Sequence, residues 1–462
     1  MDLLTQSLLP FLAIILALLV LHEAGHYFTA KLFGVKVLEA GVGIPPRIWG
    51  FTWRGTIYSI NALPFGAFVR MLGEEDPGDP QSLAAQPKWK RVIIIGSGAM
   101  MNLLVAIALF AAGQMIPHKI SVAGAVIASV VPDSPAARAG LQEGDEIVAV
   151  NGRDVRNTSD VAYQIQLSRG RDVDFTVERT DPRTGAAERS AHTAYARWDP
   201  PAYVDDCGVE RSQGATGITL ASRHVDPVTL TEEEIADLKP RAKEAYLEER
   251  AKLPPDAPAR CFSGAAFGFV AVREAQCNEF DDARRREAQA LRDELFPESL
   301  DPCYEFRPQG AEVRTDVVSK PLWEAIPEGV RLSFESVILT RNLIWSKIRG
   351  FDGGGSSQPL VGLVGIAQAT GEVVDQAGWQ SLIEFAASIS MSLAILNFLP
   401  IPAVDGGRLF FIFIEWIRGG KRISPEKEGL VHLTGLAALA VLFLVITYFD
   451  IVRWVSGDSI LR

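Results

Sequence analysis

Two histidines and a glutamate lie inside an apolar stretch of this chain, in the order His22-Glu23-Ala24-Gly25-His26. On a helix, the two histidines lie one turn apart on one face. At this spacing two imidazoles can bind one zinc ion, with the glutamate between them available as a base. A bilayer crossing needs about 20 apolar residues, so a span built on residues 7–33 must carry these ionisable groups into the membrane. Such groups are costly in hydrocarbon, and they mark a functional site.

A single histidine on an apolar helix is usually a satisfied core residue, and this interpretation competes with the metal site. Because two histidines flank a glutamate inside a span, the core-residue interpretation is the weaker one. The other histidines, His118, His192, His224 and His432, are interpreted as non-catalytic.

The chain has 462 residues, of which 48% are hydrophobic, and a net charge of -11. This length suggests about three domains. The acidic balance argues against a nucleic-acid partner, because such partners select a basic surface. Further apolar stretches at 92–116, 382–418 and 430–452 bring the number of predicted spans to four, so the lipid bilayer is an expected partner. Glu384 and Glu415, near span ends, are expected to face water or lipid headgroups.

The distribution of basic residues predicts the orientation in the membrane. Eight Lys or Arg residues lie from Lys31 to Arg91 and four lie from Arg418 to Lys427, whereas none precedes Lys31. Basic residues in short loops stay cytoplasmic. Both termini and the large middle region are therefore expected outside, with the histidines near the cytoplasmic side. The missing basic n-region also argues against a cleaved signal peptide.

A catalytic zinc site usually has three protein ligands and one position for water, so a third ligand is expected from another span. Residues 382–418 would measure roughly 55 Å as one helix, which is too long for a hydrocarbon core of about 30 Å. Pro400 and Pro402 are expected to break this helix. Asp405 follows the break at a depth near the histidines and is the predicted third ligand. Alternatively, Asp405-Gly406-Gly407 forms only a turn.

The first membrane half (1–120) contains one more element between its two spans. Residues 37–72 alternate apolar runs with glycine and proline, which predicts a membrane-associated β-hairpin.

The middle region then divides into three parts. Residues 121–196 resemble a PDZ domain, most specifically between Ser134 and Gly152, and predict an extracytoplasmic α+β domain. Residues 197–314 form an insertion that holds all four cysteines, Cys207, Cys261, Cys277 and Cys303. Their confinement to the side expected to be oxidising suggests two disulfides of undetermined pairing. Residues 315–360 read as an amphipathic helix and a linker, before the second membrane half (361–462).

The HEAGH span, the PDZ-like region and the stretch Asn-Phe-Leu-Pro-Ile-Pro-Ala-Val-Asp-Gly-Gly-Arg (397–408) occur in an order that resembles the site-2 proteases. Within that family the chain is most similar to the bacterial regulator-of-sigma-E type. The fold expected is a polytopic α-helical membrane protein with four transmembrane helices, the β-hairpin and the PDZ-like domain. The resemblance implies zinc ligation by His22, His26 and Asp405, with Glu23 as catalytic base.

The resemblance also implies a substrate and the residues that bind it. The expected activity is regulated intramembrane proteolysis of an anti-sigma-factor-like protein with one span, in the bacterial inner membrane, after a first extracytoplasmic cut. Asn397 would help to hold the substrate, although it could instead cap the broken helix. Gly41 and Gly43 match the family's Gly-x-Gly, on a hairpin that presents an edge to an unwound substrate. Ile44-Pro45-Pro46, a missing Gly-Pro near Val361 and the insertion depart from the family pattern.

Two other function classes are compatible with parts of this pattern. Two histidines and one carboxylate also form the facial triad of non-haem iron oxygenases. That interpretation leaves Glu23 without a role. A non-catalytic membrane scaffold that uses the PDZ-like domain would leave the metal motif unexplained.

Overall fold

The computed structural model describes residues 7–74, 76–180, 184, 186–204, 210–222, 225–226, 269–273, 304–308, 312–349 and 362–455. The described helices are α1 (Leu9–Leu32), α2 (Lys88–Met115), α3 (Pro135–Arg138), α4 (Thr158–Leu167), α5 (Leu322–Arg349), α6 (Leu363–Ala377), α7 (Ser381–Phe398), α8 (Asp405–Ile417) and α9 (Pro425–Val455).

The strands described begin with β1 (Val37–Trp53) and β2 (Thr56–Met71). The next are β3 (His118–Ser121), β4 (Val126–Val130), β5 (Glu146–Val150), β6 (Arg153–Asp154), β7 (Asp172–Thr180), β8 (Ala187–Tyr195), β9 (Ala202–Val204) and β10 (Glu210–Ser212). The last are β11 (Ile218–Ala221), β12 (Val225–Asp226), β13 (Phe269–Arg273), β14 (Tyr304–Pro308), β15 (Glu312–Val313) and β16 (Thr315–Val318).

Four of the described helices are long and apolar enough to cross a membrane: α1, α2, α7 and residues 426–453 of α9. They belong to one compact unit, formed by Met1–His118, Ser319–Thr340 and Pro359–Arg462. In this unit α2 packs against α1, α7 and α8. The contact between α1 and α2 is close, because a Cβ on Gly25 would lie 2.4 Å from the carbonyl oxygen of Ser97. Small residues at such contacts let helix backbones approach each other in a membrane.

A break of six residues separates α7 from α8, and Pro400 and Pro402 lie in it. Pro400 and Pro402 lack the N–H that a continuing helix needs. Because of this break, Asp405 is the first residue of α8, a helix that packs against α2.

Strands β1 and β2 form a hairpin whose two-residue turn, Arg54-Gly55, has positive φ angles of 48° and 74°. Such turns match the twist of the strands they join. The hairpin is attached to α1 by the Tyr27 and Tyr58 hydroxyls, 2.5 Å apart. In addition, the Lys31 Nζ donates to the Thr56 Oγ1 at 2.7 Å.

The hairpin bends so that β1 has neighbours on both sides. Gly41 is aligned with both Phe68 and Ser59 of β2. Gly41 therefore lies in the middle of this small sheet and not on an open edge. Its role in substrate binding stays a prediction. Residues 67–71 form an outer strand of this sheet. They pair with residues 37–42 of β1 on one side, and in the described part of the chain no strand pairs with their other side.

Two glutamates near span ends are partnered inside the protein. The Glu415 carboxylate is buried and accepts a hydrogen bond from Arg91 Nη1 at 2.7 Å. Glu384 accepts a hydrogen bond from Gln114 Nε2 at 3.0 Å. The expectation that Glu415 faces water or headgroups is therefore wrong, because its carboxylate is buried beside Arg91 of α2. Glu384 is half-buried, and its contact with water or headgroups stays a prediction.

The second unit comprises Lys119–Val318 and Arg341–Gln358. Its main sheet has the order β11-β4-β5-β7-β8, with β6 beside β5, and its core includes Ile127, Ile147 and Phe175. Asn157 caps α4 by accepting a hydrogen bond from the Asp160 N–H at 2.8 Å.

Within this unit the buried Asp145 carboxylate accepts hydrogen bonds from Arg179 at 2.6 and 2.7 Å, which raise the pKa of that guanidinium. The PDZ-like domain at 121–196 stays a prediction. The four cysteines and the linker at 350–360 lie outside the described residues, so the disulfides also stay a prediction.

Candidate metal centre

The two histidines of α1 turn their Nε2 atoms toward each other. Both side chains are buried, and the two Nε2 atoms lie 3.2 Å apart. The His26 Nδ1 lies 2.8 Å from the carbonyl oxygen of Ile94 on α2. Because a carbonyl can only accept, Nδ1 carries the proton, and the Nε2 lone pair is available for a metal ion.

Asn102 on α2 contacts the Nδ1 of His22, as the Ile94 carbonyl contacts the Nδ1 of His26. Its amide lies 3.2 Å from the His22 Nδ1, and its side chain is buried. The amide nitrogen faces the imidazole, while the amide oxygen receives no hydrogen bond from the described residues. A 180° rotation of the side-chain amide exchanges the positions of these two atoms. With its oxygen toward Nδ1, Asn102 would accept a hydrogen bond from the imidazole N–H and leave the Nε2 of His22 available as a ligand.

Asp405 brings a carboxylate oxygen to both imidazoles. Its Oδ2 lies 3.1 Å from the Nε2 of His22 and 3.2 Å from that of His26. This oxygen is buried, and no hydrogen bond reaches it from the described residues. Tetrahedral zinc with bonds of 2.0–2.1 Å places its ligand atoms about 3.3 Å apart. The triangle of two nitrogens and one oxygen therefore fits a zinc ion.

Glycines make room for this arrangement at two places. A Cβ on Gly98 of α2 would lie 2.3 Å from the His26 Nε2 and 2.6 Å from the His22 Nε2. A Cβ on Gly406 would lie 1.9 Å from the carbonyl oxygen of Leu399. Only glycine therefore permits the close approach of α2 to the imidazoles, and the tight return of the chain into α8.

Glu23 lies beside these three groups and is half-buried. Ligand atoms of His22, Glu23 and His26 all lie within 4.8 Å of one another. The Glu23 carboxylate also interacts with the backbone N–H of Val69, on the outer strand of the hairpin. A carboxylate next to the metal site and next to a strand edge can exchange protons with groups bound at either place.

The structure places the other three predicted site residues on α7 and on the hairpin. Asn397 is half-buried in the last turn of α7. Gly41 is packed against the ring of Phe68, which a Cβ would approach to 2.6 Å. Gly43 has a φ of +85°, and the carbonyl oxygen of Leu63 lies 2.6 Å from the position of a Cβ. Local packing and conformation explain both glycines without a ligand.

Sequence reasoning missed Asn102 and Gly98. A signal for Asn102 was present, because a buried amide in an apolar span needs a polar partner. Gly98 gave no such signal, since glycine is common in transmembrane helices.

Comparison with known proteins gives a consistent picture. The sequence model of Peptidase family M50 matches residues 10–442 of this chain. A "Putative zinc metalloprotease" of Thermotoga maritima is 27% identical, over 96% of this chain and 98% of its own length. A protein of Neisseria meningitidis with the same description is also 27% identical, over 97% and 99% of the two chains.

The zinc metalloprotease RasP of Geobacillus kaustophilus is 23% identical, over 97% of this chain and 98% of its own. None of these names describes an iron oxygenase or a scaffold, and the family match covers the two membrane halves that hold the candidate ligands. The chain therefore belongs to Peptidase family M50, the site-2 protease family of membrane zinc metalloproteases.

Proposed function

We propose that this protease cleaves peptide bonds within the transmembrane segments of single-span membrane proteins. The observation that carries the proposal is the triangle of His22, His26 and Asp405. Both histidines lie on α1, which is long and apolar enough to cross a membrane. We further propose an anti-sigma-factor-like substrate that has already lost its extracytoplasmic part. This substrate class follows from the resemblance to the regulator-of-sigma-E type.

In the proposed mechanism His22, His26 and Asp405 hold zinc. When bound, zinc lowers the pKa of a water molecule toward 7 and polarises a carbonyl. Glu23 accepts the proton from the attacking water and returns it to the leaving amine. The Ile94 carbonyl and the Asn102 amide fix the orientation of the two imidazoles through their Nδ1 atoms.

The substrate must expose its scissile carbonyl before water can attack, because a helix holds that carbonyl in a hydrogen bond. Residues 67–71 offer an edge on which an unwound segment can add as a strand. The Val69 N–H on this edge already faces Glu23, so a strand bound here lies beside the proposed base. Gly41 and Gly43 would support this edge from the neighbouring strand, and Asn397 would either contact the substrate or stabilise the end of α7.

We propose that the second unit contains a PDZ-like domain that excludes substrates with an intact outer domain. The basic residues between spans support an orientation with both termini and this domain outside the inner membrane, and with the active site near the cytoplasmic side. The antiparallel sheet and α4 are compatible with this assignment.

The test compares Glu23→Gln with wild type, using the full chain and a single-span anti-sigma-type protein in liposomes. We expect Glu23→Gln to keep its zinc and to lose cleavage within the span by at least about 100-fold, as for other general bases. Glu384→Gln is the matched control, since it makes the same chemical change on α7 next to Gln114. Cleavage by Glu23→Gln at the wild-type rate would show that the proposed base is wrong.

A further inference from the structure

The segment that delivers Asp405 to the histidines has an unusual backbone. Ala403, two residues before Asp405, has a φ of +78°, a left-handed conformation that non-glycine residues rarely adopt. Non-helical backbone at membrane depth needs partners for its polar groups. The segment at 399–404 must therefore be held by something outside itself.

His432 on α9 supplies one such contact. The Ala403 N–H donates to the His432 Nδ1 at 2.9 Å. Because the backbone N–H can only donate, His432 accepts through Nδ1 and is the tautomer protonated on Nε2. The His432 ring also packs against Phe411 of α8, with ring centroids 5.4 Å apart.

Gly435, three residues further along α9, touches the same segment. A Cβ on Gly435 would lie 2.2 Å from the Cβ of Pro402. Residues three apart share a helix face, so one face of α9 contacts Pro402 by close packing and Ala403 by a hydrogen bond. The last span thus contacts Ala403 and Pro402, which lie two and three positions before the predicted metal ligand Asp405.

We propose that His432 is a positioning residue for Asp405, which it reaches through the backbone of Ala403. The inference rests on the proposed metal site. Ligand atoms must be held within about 0.2 Å of their bonding distances. An N–H fixed at Ala403 restrains the start of α8, and with it the Asp405 Oδ2 that lies between the two imidazoles.

The test measures zinc release from the purified full chain in detergent, using a chromophoric chelator, together with kcat and KM for substrate cleavage. His432→Ala removes the acceptor, while His432→Asn keeps an acceptor close to the position of Nδ1. We expect His432→Ala to release zinc about tenfold faster than wild type, the lower end of the effect of removing groups that orient ligands. We also expect a lower kcat with an unchanged KM, and recovery in His432→Asn.

Thr434→Ala is the matched control, because the exposed Thr434 hydroxyl bonds only to Leu430 of its own helix among the described residues. Gly435→Ala reaches the same segment through Pro402 and replaces His432→Ala if that variant does not accumulate. Zinc release at the Thr434→Ala rate in both variants would overturn the inference, and so would failure of His432→Asn to recover.

Asp405→Ala separates the role of His432 from the proposed metal site. If both His432→Ala and Asp405→Ala keep their zinc, the proposed metal site is wrong. If Asp405→Ala loses its zinc and His432→Ala keeps it, only the role of His432 is refuted.

Discussion

Replacement of Gly98 by alanine is expected to disrupt the metal site while leaving the helices in place. The added Cβ would lie 2.3 Å from the His26 Nε2 and 2.6 Å from the His22 Nε2. Ordinary contact begins near 3.4 Å, so the nitrogen of His26 must move by about 1 Å. Zinc bonds tolerate about 0.2 Å. A misplacement of about 1 Å also costs on the order of 100-fold in catalytic rate.

The assay is zinc content after dialysis together with the rate of cleavage of a single-span substrate. Gly96→Ala is the matched control on the same helix, since its Cβ would meet only Leu409 Cδ1 at an ordinary 3.8 Å. We expect Gly98→Ala to lose most of its zinc and at least about 100-fold in rate, and Gly96→Ala to behave as wild type. Equal zinc content and equal rates in the two variants would refute the reasoning.

Three further changes test other parts of the structure. Glu415→Ala should destabilise the chain by about 3 kcal/mol in an SDS titration, because Arg91 stays buried without its carboxylate; an unchanged midpoint would contradict this. Asp450→Ala should cost about 1–3 kcal/mol, because Asp450 accepts two backbone N–H groups at the start of α6. Asp450→Asn should recover part of this loss, and equal stability of all three proteins would count against it. Val69→Pro should slow cleavage while zinc is retained, since it removes the N–H that faces Glu23; a wild-type rate would exclude this edge as the substrate site.

The sequence predicts the parts of the site that depend on local spacing. His22 and His26 share a helix face because residues four apart always do. Asp405 could be placed near them because two prolines end α7 and because hydrocarbon thickness limits where the chain can go. The lengths of the apolar stretches likewise predict four spans, and four described helices meet the requirement.

Contacts between residues distant in sequence could not be predicted in this way. The pairing of Arg91 with Glu415 spans 324 positions, and the Asn102 amide meets His22 across 80. Alternation of apolar residues predicts the hairpin, but its bending depends on how β2 lies beside β1 on both sides of Gly41. For this reason the sequence alone does not show which segment of the hairpin forms an open edge.

The central claim is that zinc is bound jointly by His22 and His26 of α1 and by Asp405 of α8. X-ray absorption at the zinc edge of the purified full chain measures the atoms bound to the metal. The account predicts nitrogen and oxygen neighbours at about 2.0–2.1 Å, with the distant scattering typical of two imidazoles. Sulfur neighbours at about 2.3 Å, or a spectrum unchanged in Asp405→Ala, would contradict it.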